Sequence, residues 1–268
     1  MKITKIAVQK NDPERYNIFV GDKHGERFAC GVDQELLLRH HLHKGMEVDE
    51  KQLEQLALED DYEKAYKHAL HYVNRRMRTE QEVRLELTNK EATMDHIERI
   101  LEAMKERKYV NDHMYAKSYV NLELSTSSKG PGRLKQYLVD KGVERSIIEG
   151  ALLSYTKEQQ LDKAIAVINK KAKQYKKDSV QMKKKKLTDA LLRLGFSYEM
   201  IQMALEHLPK ADEEDALSLQ AQQAAQKLQK KYSGQELSRR IVQKLVQKGF
   251  SYQAAIDYVN ENFQEEEQ

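Results

Sequence analysis

Three features of this 268-residue chain predict an all-α fold: tandem three-helix repeats behind a small N-terminal β segment. The first is a phrase that recurs toward the C-terminus. Leu138-Val139-Asp140-Lys141-Gly142-Val143, Leu191-Leu192-Arg193-Leu194-Gly195-Phe196 and Leu245-Val246-Gln247-Lys248-Gly249-Phe250 each run an apolar stretch into a glycine, and the glycines stand 53 and 54 residues apart. The second is the spacing that follows. Apolar residues fall one place after each glycine (Val143, Phe196, Phe250), six places after (Ile148, Ile201, Ala255) and ten places after (Leu152, Leu205, Val259). A period near fifty residues is the mark of a helical repeat array. The third is composition: three prolines, eleven glycines and 33% charged residues suit a mostly helical, solvent-exposed rod. A fourth, diverged copy has Glu91 in the glycine position, with Ala92, Ile97 and Leu101 at the same offsets.

The N-terminal fifty residues read differently. Ile3 to Gln9, Tyr16 to Gly21 and Glu26 to Gly31 are short β-type runs, parted by Asn11-Asp12-Pro13 and by Gly21-Asp22-Lys23-His24-Gly25, both turn clusters. A small antiparallel meander is expected. Asp33 then caps a short helix through Glu35, Leu36, Leu37, Leu38 and His41, ending near Gly45, and a second helix begins around Val48-Asp49 and leads into the first repeat near Tyr62. The expected organisation is residues 1–50 as β segment plus short helix, then repeats over 51–110, 111–156, 157–208 and 209–268.

Within a repeat the order is helix, helix, helix. The opening helix is seen in Tyr62 to Asn74 and in Ala164 to Lys173. The middle helix begins with a capping box in Thr79-Glu80-Gln81-Glu82 and in Ser233-Gly234-Gln235-Glu236, and with Pro131 in the second repeat. It ends at the glycine, whose missing Cβ admits the left-handed closing conformation. Thr93, Ser197 and Ser251 then offer hydroxyls to the free N–H groups of the third helix; Glu144 stands there in the second repeat. One such unit buries little apolar surface, so neighbours must stack.

Catalytic signatures are missing. Gly130-Pro131-Gly132-Arg133-Leu134-Lys135 lacks phosphate-loop spacing, and neither a nucleophile elbow nor a zinc-protease helix occurs. His40, His41, His43, His68 and His71 have no carboxylate or cysteine completing a metal site. The lone Cys30 precludes an internal disulfide and reads as a packing residue of a protein in a reducing compartment. No catalytic residue, cofactor or metal is expected. Met1-Lys2-Ile3-Thr4-Lys5 lacks the apolar core of a signal peptide, and no apolar run nears the roughly twenty residues of a membrane span. A soluble cytoplasmic monomer is expected.

Charge supplies the candidate contacts. Residues 157–208 hold twelve Lys/Arg against six Asp/Glu, whereas 209–268 hold eight against ten. Lys183, Lys184, Lys185 and Lys186 sweep about 300° of a helix and so form no single stripe. They are either a solvated, frayed helix start or a phosphate-contacting surface. Arg75, Arg76 and Arg78, with Arg84 one to two turns on, are either dipole partners at a helix end or one recognition surface. Lys129, Arg133, Lys135, Arg239 and Arg240 complete the candidate set. Tyr62, Tyr66, Tyr72, Tyr115 and Tyr119 read mainly as packing, with base stacking as the alternative.

Several of these residues carry a resemblance. Tyr72-Val73-Asn74-Arg75-Arg76-Met77-Arg78-Thr79-Glu80-Gln81-Glu82-Val83-Arg84 resembles the signature of the RecX family, bacterial regulators of the RecA recombinase. Tyr109-Val110-Asn111-Asp112 with Tyr115-Ala116 and Tyr119-Val120 is similar to the family's next block, and Lys129-Gly130-Pro131 with Leu138 and Lys141-Gly142-Val143 to its third. Glu91 stands where the family has a Lys-Gly pair, which predicts a different ending for that helix. The resemblance implies an elongated, curved, all-helical protein lying in the groove of the RecA–single-stranded DNA filament. It further implies modulation, most simply inhibition, of RecA ATPase, strand exchange and coprotease activity, hence of recombination, repair and the SOS response. A stand-alone nucleic-acid-binding repeat protein is the alternative.

Overall fold

The computed structural model describes residues 1–10, 12–22, 25–209 and 213–263. Asn11, Lys23 and His24, and with them the tips of both expected turns, lie outside the described residues, as do the last five residues of the fourth expected repeat. The chain divides into two compact units, one of residues 1–116 and 140–147, the other of 117–139 and 148–268.

In the first unit, strands β1 (Lys2–Gln9), β2 (Asp12–Asp22) and β3 (Gly25–Asp33) form an antiparallel sheet in that order. The short helix α1 (Gln34–Arg39) follows, capped by the Asp33 carboxylate accepting from Glu35 N–H, as expected. Helix α2 (Glu50–Asn74) then runs unbroken for 25 residues from an Asp49–Gln52 capping box. The helix expected near Asp49 and the opening helix of the first repeat are thus one element, since no glycine or proline interrupts them. Ile3, Ile18, Val20, Val32, Leu36, Leu53 and Leu56 bury the sheet against α2, with Cys30 in the same cluster. Asp60, on the buried face of α2 and 1% exposed, fastens this packing: it accepts from Arg15 Nη2 at 2.7 Å and from Asp33 N–H at 3.1 Å, and pairs with Lys64 at 2.8 Å.

Helices α3 (Glu80–Asn89) and α4 (Met94–Glu106) complete the first triad around Val83, Leu87, Ile97, Ile100, Leu101 and Met104. The second triad in sequence is α5 (Asp112–Thr126), α6 (Pro131–Asp140) and α7 (Arg145–Leu152). In the second unit, α8 (Lys157–Ala172), α9 (Val180–Leu194) and α10 (Tyr198–Glu206) pack around Ala164, Ile168, Leu187, Leu191 and Ile201. Helices α11 (Glu214–Leu228), α12 (Gly234–Gln247) and α13 (Tyr252–Phe263) pack around Ala221, Ile241, Leu245 and Ala255. The predicted all-α array of three-helix units behind a small β segment is therefore the fold.

Predicted caps form at Thr79, Thr93, Ser197 and Ser251. The box at Ser233 does not: Gly234 adopts a left-handed φ of 53°, the Ser233 side chain makes no cap bond, and Glu236 pairs with Arg240 instead. Glu91 also departs from expectation. Its φ of 60° closes α3 in the left-handed form taken by Gly142, Gly195 and Gly249, so that helix ends as the others do.

Candidate partner-binding surface

A recurring interlock ties the starts of α3, α6 and α9 to the turns at Lys141, Leu194–Gly195 and Lys248. Thr79, the buried N-cap of α3, donates its hydroxyl to the carbonyl oxygen of Lys141 at 2.7 Å, while Glu80 N–H, the first of α3, donates to Asp112 Oδ1 at 2.9 Å. Two triads later the pattern repeats. Ser179, the buried N-cap of α9, donates to the carbonyl of Lys248 at 2.7 Å, and Val180 N–H donates to Glu213 Oε1 at 2.8 Å. Between α6 and α9 the backbone serves: Gly130 and Gly132 N–H donate to the carbonyls of Leu194 and Gly195 at 2.7 and 2.9 Å. Pro131 opens α6, and having no N–H it needs no carboxylate. Free amides at helix starts are thus satisfied by the following triad.

The glycine lies against each such start. A Cβ on Gly142 would stand 2.4 Å from Gln81 Cβ, on Gly195 2.3 Å from Arg133 N, and on Gly249 2.8 Å from Ser179 Oγ. Glu91, the residue in the same position of the first repeat, is exposed. The glycines answer to close approach as well as to helix closure.

The candidate cations fall into separate groups. Arg75 is exposed and shares a 3.0 Å hydrogen bond with His71, and Arg76 is 58% exposed with Glu82 3.6 Å away. Arg78 is only 12% exposed and lies over Tyr72, 3.9 Å from the ring centroid, with Glu82 3.9 Å away. Arg84 is held by Glu98 and, at 3.2 Å, by Glu80. The four arginines therefore do not form one free surface. Lys129 pairs with Glu123 at 2.8 Å and Lys135 with Glu149 at 3.8 Å. Lys183 is buried, and Lys186 pairs with Asp178 at 2.6 Å above the Tyr175 ring. Arg240 pairs with Glu236 at 2.8 Å and faces Tyr232. Arg133, Lys184, Lys185 and Arg239 are exposed and carry no ion pair among the described residues. The lysine run lies in the first two turns of α9, whose start is capped by Ser179.

Sequence reasoning missed Arg99 and Arg107, which lie over Tyr62 at 4.7 Å and Tyr66 at 5.6 Å, the two tyrosines being stacked. Tyr119 stacks on Tyr137 at 4.2 Å, and Tyr115 is buried, so both pack as expected. His40 contacts Glu59 and His68 contacts Glu86, each at 2.7 Å. Among the described residues there is no cluster of three or more His, Cys, Asp or Glu able to hold a metal, and no helix is long and apolar enough to cross a membrane.

Comparison with known proteins places this geometry. Four profiles match in chain order: the regulatory protein RecX N-terminal domain over residues 1–49, then the RecX first, second and third three-helix domains over 65–103, 111–152 and 158–205. A Regulatory protein RecX from Bacillus cytotoxicus is 37% identical over 253 residues, covering 93% of each chain. One from Halalkalibacterium halodurans is 36% identical over 263 residues, covering 97% of this chain and 99% of its own. The chain belongs to the RecX family. A crystal structure of regulatory protein RecX superposes with a TM-score of 0.64 at 33% identity, over 77% of this chain and 99% of that one. RecX from Lactobacillus salivarius gives 0.54 at 36%, over 56% and 97%. The matched three-helix spans end at residue 205, so the triad α11–α13 rests on the full-length relatives.

The residues that carry the resemblance to RecX now have physical roles. Arg78 lies on Tyr72, Thr79 locks onto Lys141, and Glu82 accepts from Lys141 Nζ at 2.6 Å. Burial opposes ionisation of Glu82, but the hydrogen bonds from Lys141 and from Thr79 N–H outweigh it and hold the carboxyl below its ordinary pKa. Much of the signature is thus the first interlock, with Arg75 and Arg76 exposed beside it.

Proposed function

We propose that this protein regulates the RecA recombinase by binding the RecA–single-stranded DNA filament and lowering its ATPase, strand-exchange and coprotease activities. It would act in the cytoplasm, as a monomer and without catalysing a reaction. The observation that carries this reading is membership of RecX over nearly the full chain, among relatives named as regulatory proteins. A repeat array suits such a partner, because each three-helix unit offers a surface to a successive part of a polymer. Functional modules are proposed at 51–110, 111–156, 157–208 and 209–268. Exposed Arg75, Arg76, Arg133, Lys184, Lys185 and Arg239 are the proposed contacts, since exposed cations lose least on meeting phosphate or carboxylate.

The test is RecA ATP hydrolysis on single-stranded DNA, titrated with the protein. A fall in rate at substoichiometric protein is expected; an unchanged rate at equimolar protein rejects the regulatory reading. The exposed lysines of α9 also suit a stand-alone nucleic-acid binder. Equal affinity for bare and RecA-coated DNA would favour that alternative.

A further inference from the structure

A groove of about 850 Å³ lies in the third triad, between the end of α8, the start of α9 and the end of α10. That volume is typical of ligand clefts, roughly 300–1,000 Å³. Its apolar lining is aliphatic: Ala172, Val180, Leu205 and Leu208. Lys173, Lys176, Lys183 and Lys184 line it too, against one carboxylate, Glu206. Lys183 is 5% exposed, and none of the four has an ion pair among the described residues. Elsewhere several partly covered lysines have partners: Lys141 pairs with Glu82 and Lys186 with Asp178, while Lys163 donates to the Glu123 and Ser127 carbonyls and Lys248 to the Gln220 side-chain oxygen. Four like charges lining one groove repel one another. A ligand bringing carboxylates relieves that repulsion.

We propose that this groove docks an acidic peptide segment bearing a bulky aliphatic or aromatic side chain. The side chain covers the Ala172–Val180–Leu208 floor, and the flanking carboxylates meet the lysines, giving both apolar burial and charge complementarity. Nucleic acid fits less well: the lining has no aromatic ring on which a base can stack and no arginine fork for a phosphate. The inference goes beyond the regulatory reading and does not depend on it.

Fluorescence anisotropy on the full chain tests it, with a labelled ten-residue peptide alternating Glu and Leu, its Glu/Ser counterpart, and a labelled oligothymidylate. The Glu/Leu peptide is expected to bind at least tenfold more tightly than the Glu/Ser one. Lys173→Glu with Lys176→Glu, both exposed positions, should weaken Glu/Leu binding at least tenfold while circular dichroism and oligothymidylate affinity stay as they were. Absence of peptide binding, equal affinity for the two peptides, or an undiminished affinity in the charge-reversed variant overturns the proposal. So does loss of oligothymidylate binding alone, which would make the groove a nucleic-acid site.

Discussion

Thr79 and Lys141 lie 62 positions apart in sequence, yet the Thr79 hydroxyl donates to the Lys141 carbonyl at 2.7 Å. The same hydroxyl accepts from Glu82 N–H at 3.1 Å, so one buried oxygen caps its own helix and fastens the turn at Lys141. Replacing it should therefore exceed an ordinary cap loss. Thr79→Ala removes a cap worth about 1 kcal/mol and strands a carbonyl at a further cost of about 1–3 kcal/mol. A destabilisation of about 2–4 kcal/mol is expected in urea unfolding, with Thr79→Ser recovering most of it. A loss below about 0.5 kcal/mol would show that the interlock is not a stability determinant.

The glycines should separate by what surrounds them. Gly142→Ala places a Cβ 2.4 Å from Gln81 Cβ at a φ of 75°, so it meets both a clash and backbone strain, and a loss above about 2 kcal/mol is expected. Gly150 lies within α7 with nothing within 4 Å of its would-be Cβ. Gly150→Ala should instead gain roughly 0.5–1 kcal/mol from helix propensity. Opposite signs in thermal unfolding check the pair.

These comparisons show what was legible beforehand. The spacing of Gly142, Gly195 and Gly249 revealed the period and the helix ends, because closure at a glycine is a local property. The docking partner of each glycine was not legible, since Gln81 and Ser179 lie more than one repeat upstream. Asp112 and Glu213 gave no signal, because a carboxylate that caps a helix 32 or 33 residues earlier looks like any acidic residue near a helix start. Residue type alone marks the candidate cations in the sequence. Burial of Lys183 and the capture of Arg84 by Glu80 and Glu98 depend on tertiary packing, which residue type does not encode.

Acid should loosen the first interlock. The Glu82 carboxyl has a folded pKa below its ordinary value. Such a group adds stability that is full above its unfolded pKa, about 4.3, and is lost as pH falls through the lower folded value. Glu82→Gln lacks this contribution at every pH. The gap between parent and variant in urea midpoint should therefore be greatest at neutral pH and should close as the pH drops below about 4. A gap independent of pH would assign Glu82 a purely steric role.

The arginines divide into contact and structure. Arg75 and Arg76 are exposed, so Arg75→Ala with Arg76→Ala is expected to weaken binding to the RecA filament while shifting unfolding by less than about 0.5 kcal/mol. Arg78 lies over the Tyr72 ring, and Arg78→Ala should cost about 1–2 kcal/mol through lost cation–π and packing contacts. Parallel filament sedimentation and urea titrations read both. Wild-type filament binding by the double variant would remove Arg75 and Arg76 from the contact set.

Salt dependence identifies phosphate contacts without assuming a binding mode. Lys185 and Arg239 are exposed, unpaired among the described residues, and outside the groove proposed for acidic peptides. Each phosphate neutralised on a single strand contributes about −0.7 to the slope of log affinity against log salt. Lys185→Gln with Arg239→Gln should then flatten that slope by about 1.4, equally for unrelated sequences, because backbone contacts carry no base information. Lys183→Gln and Lys186→Gln should leave the slope unchanged, since the first side chain is buried and the second already faces Asp178. Anisotropy titrations at four or more salt concentrations measure both pairs. If the second pair flattens the slope and the first does not, the lysines rearrange on binding, and exposure in the free protein is the wrong guide to its contacts.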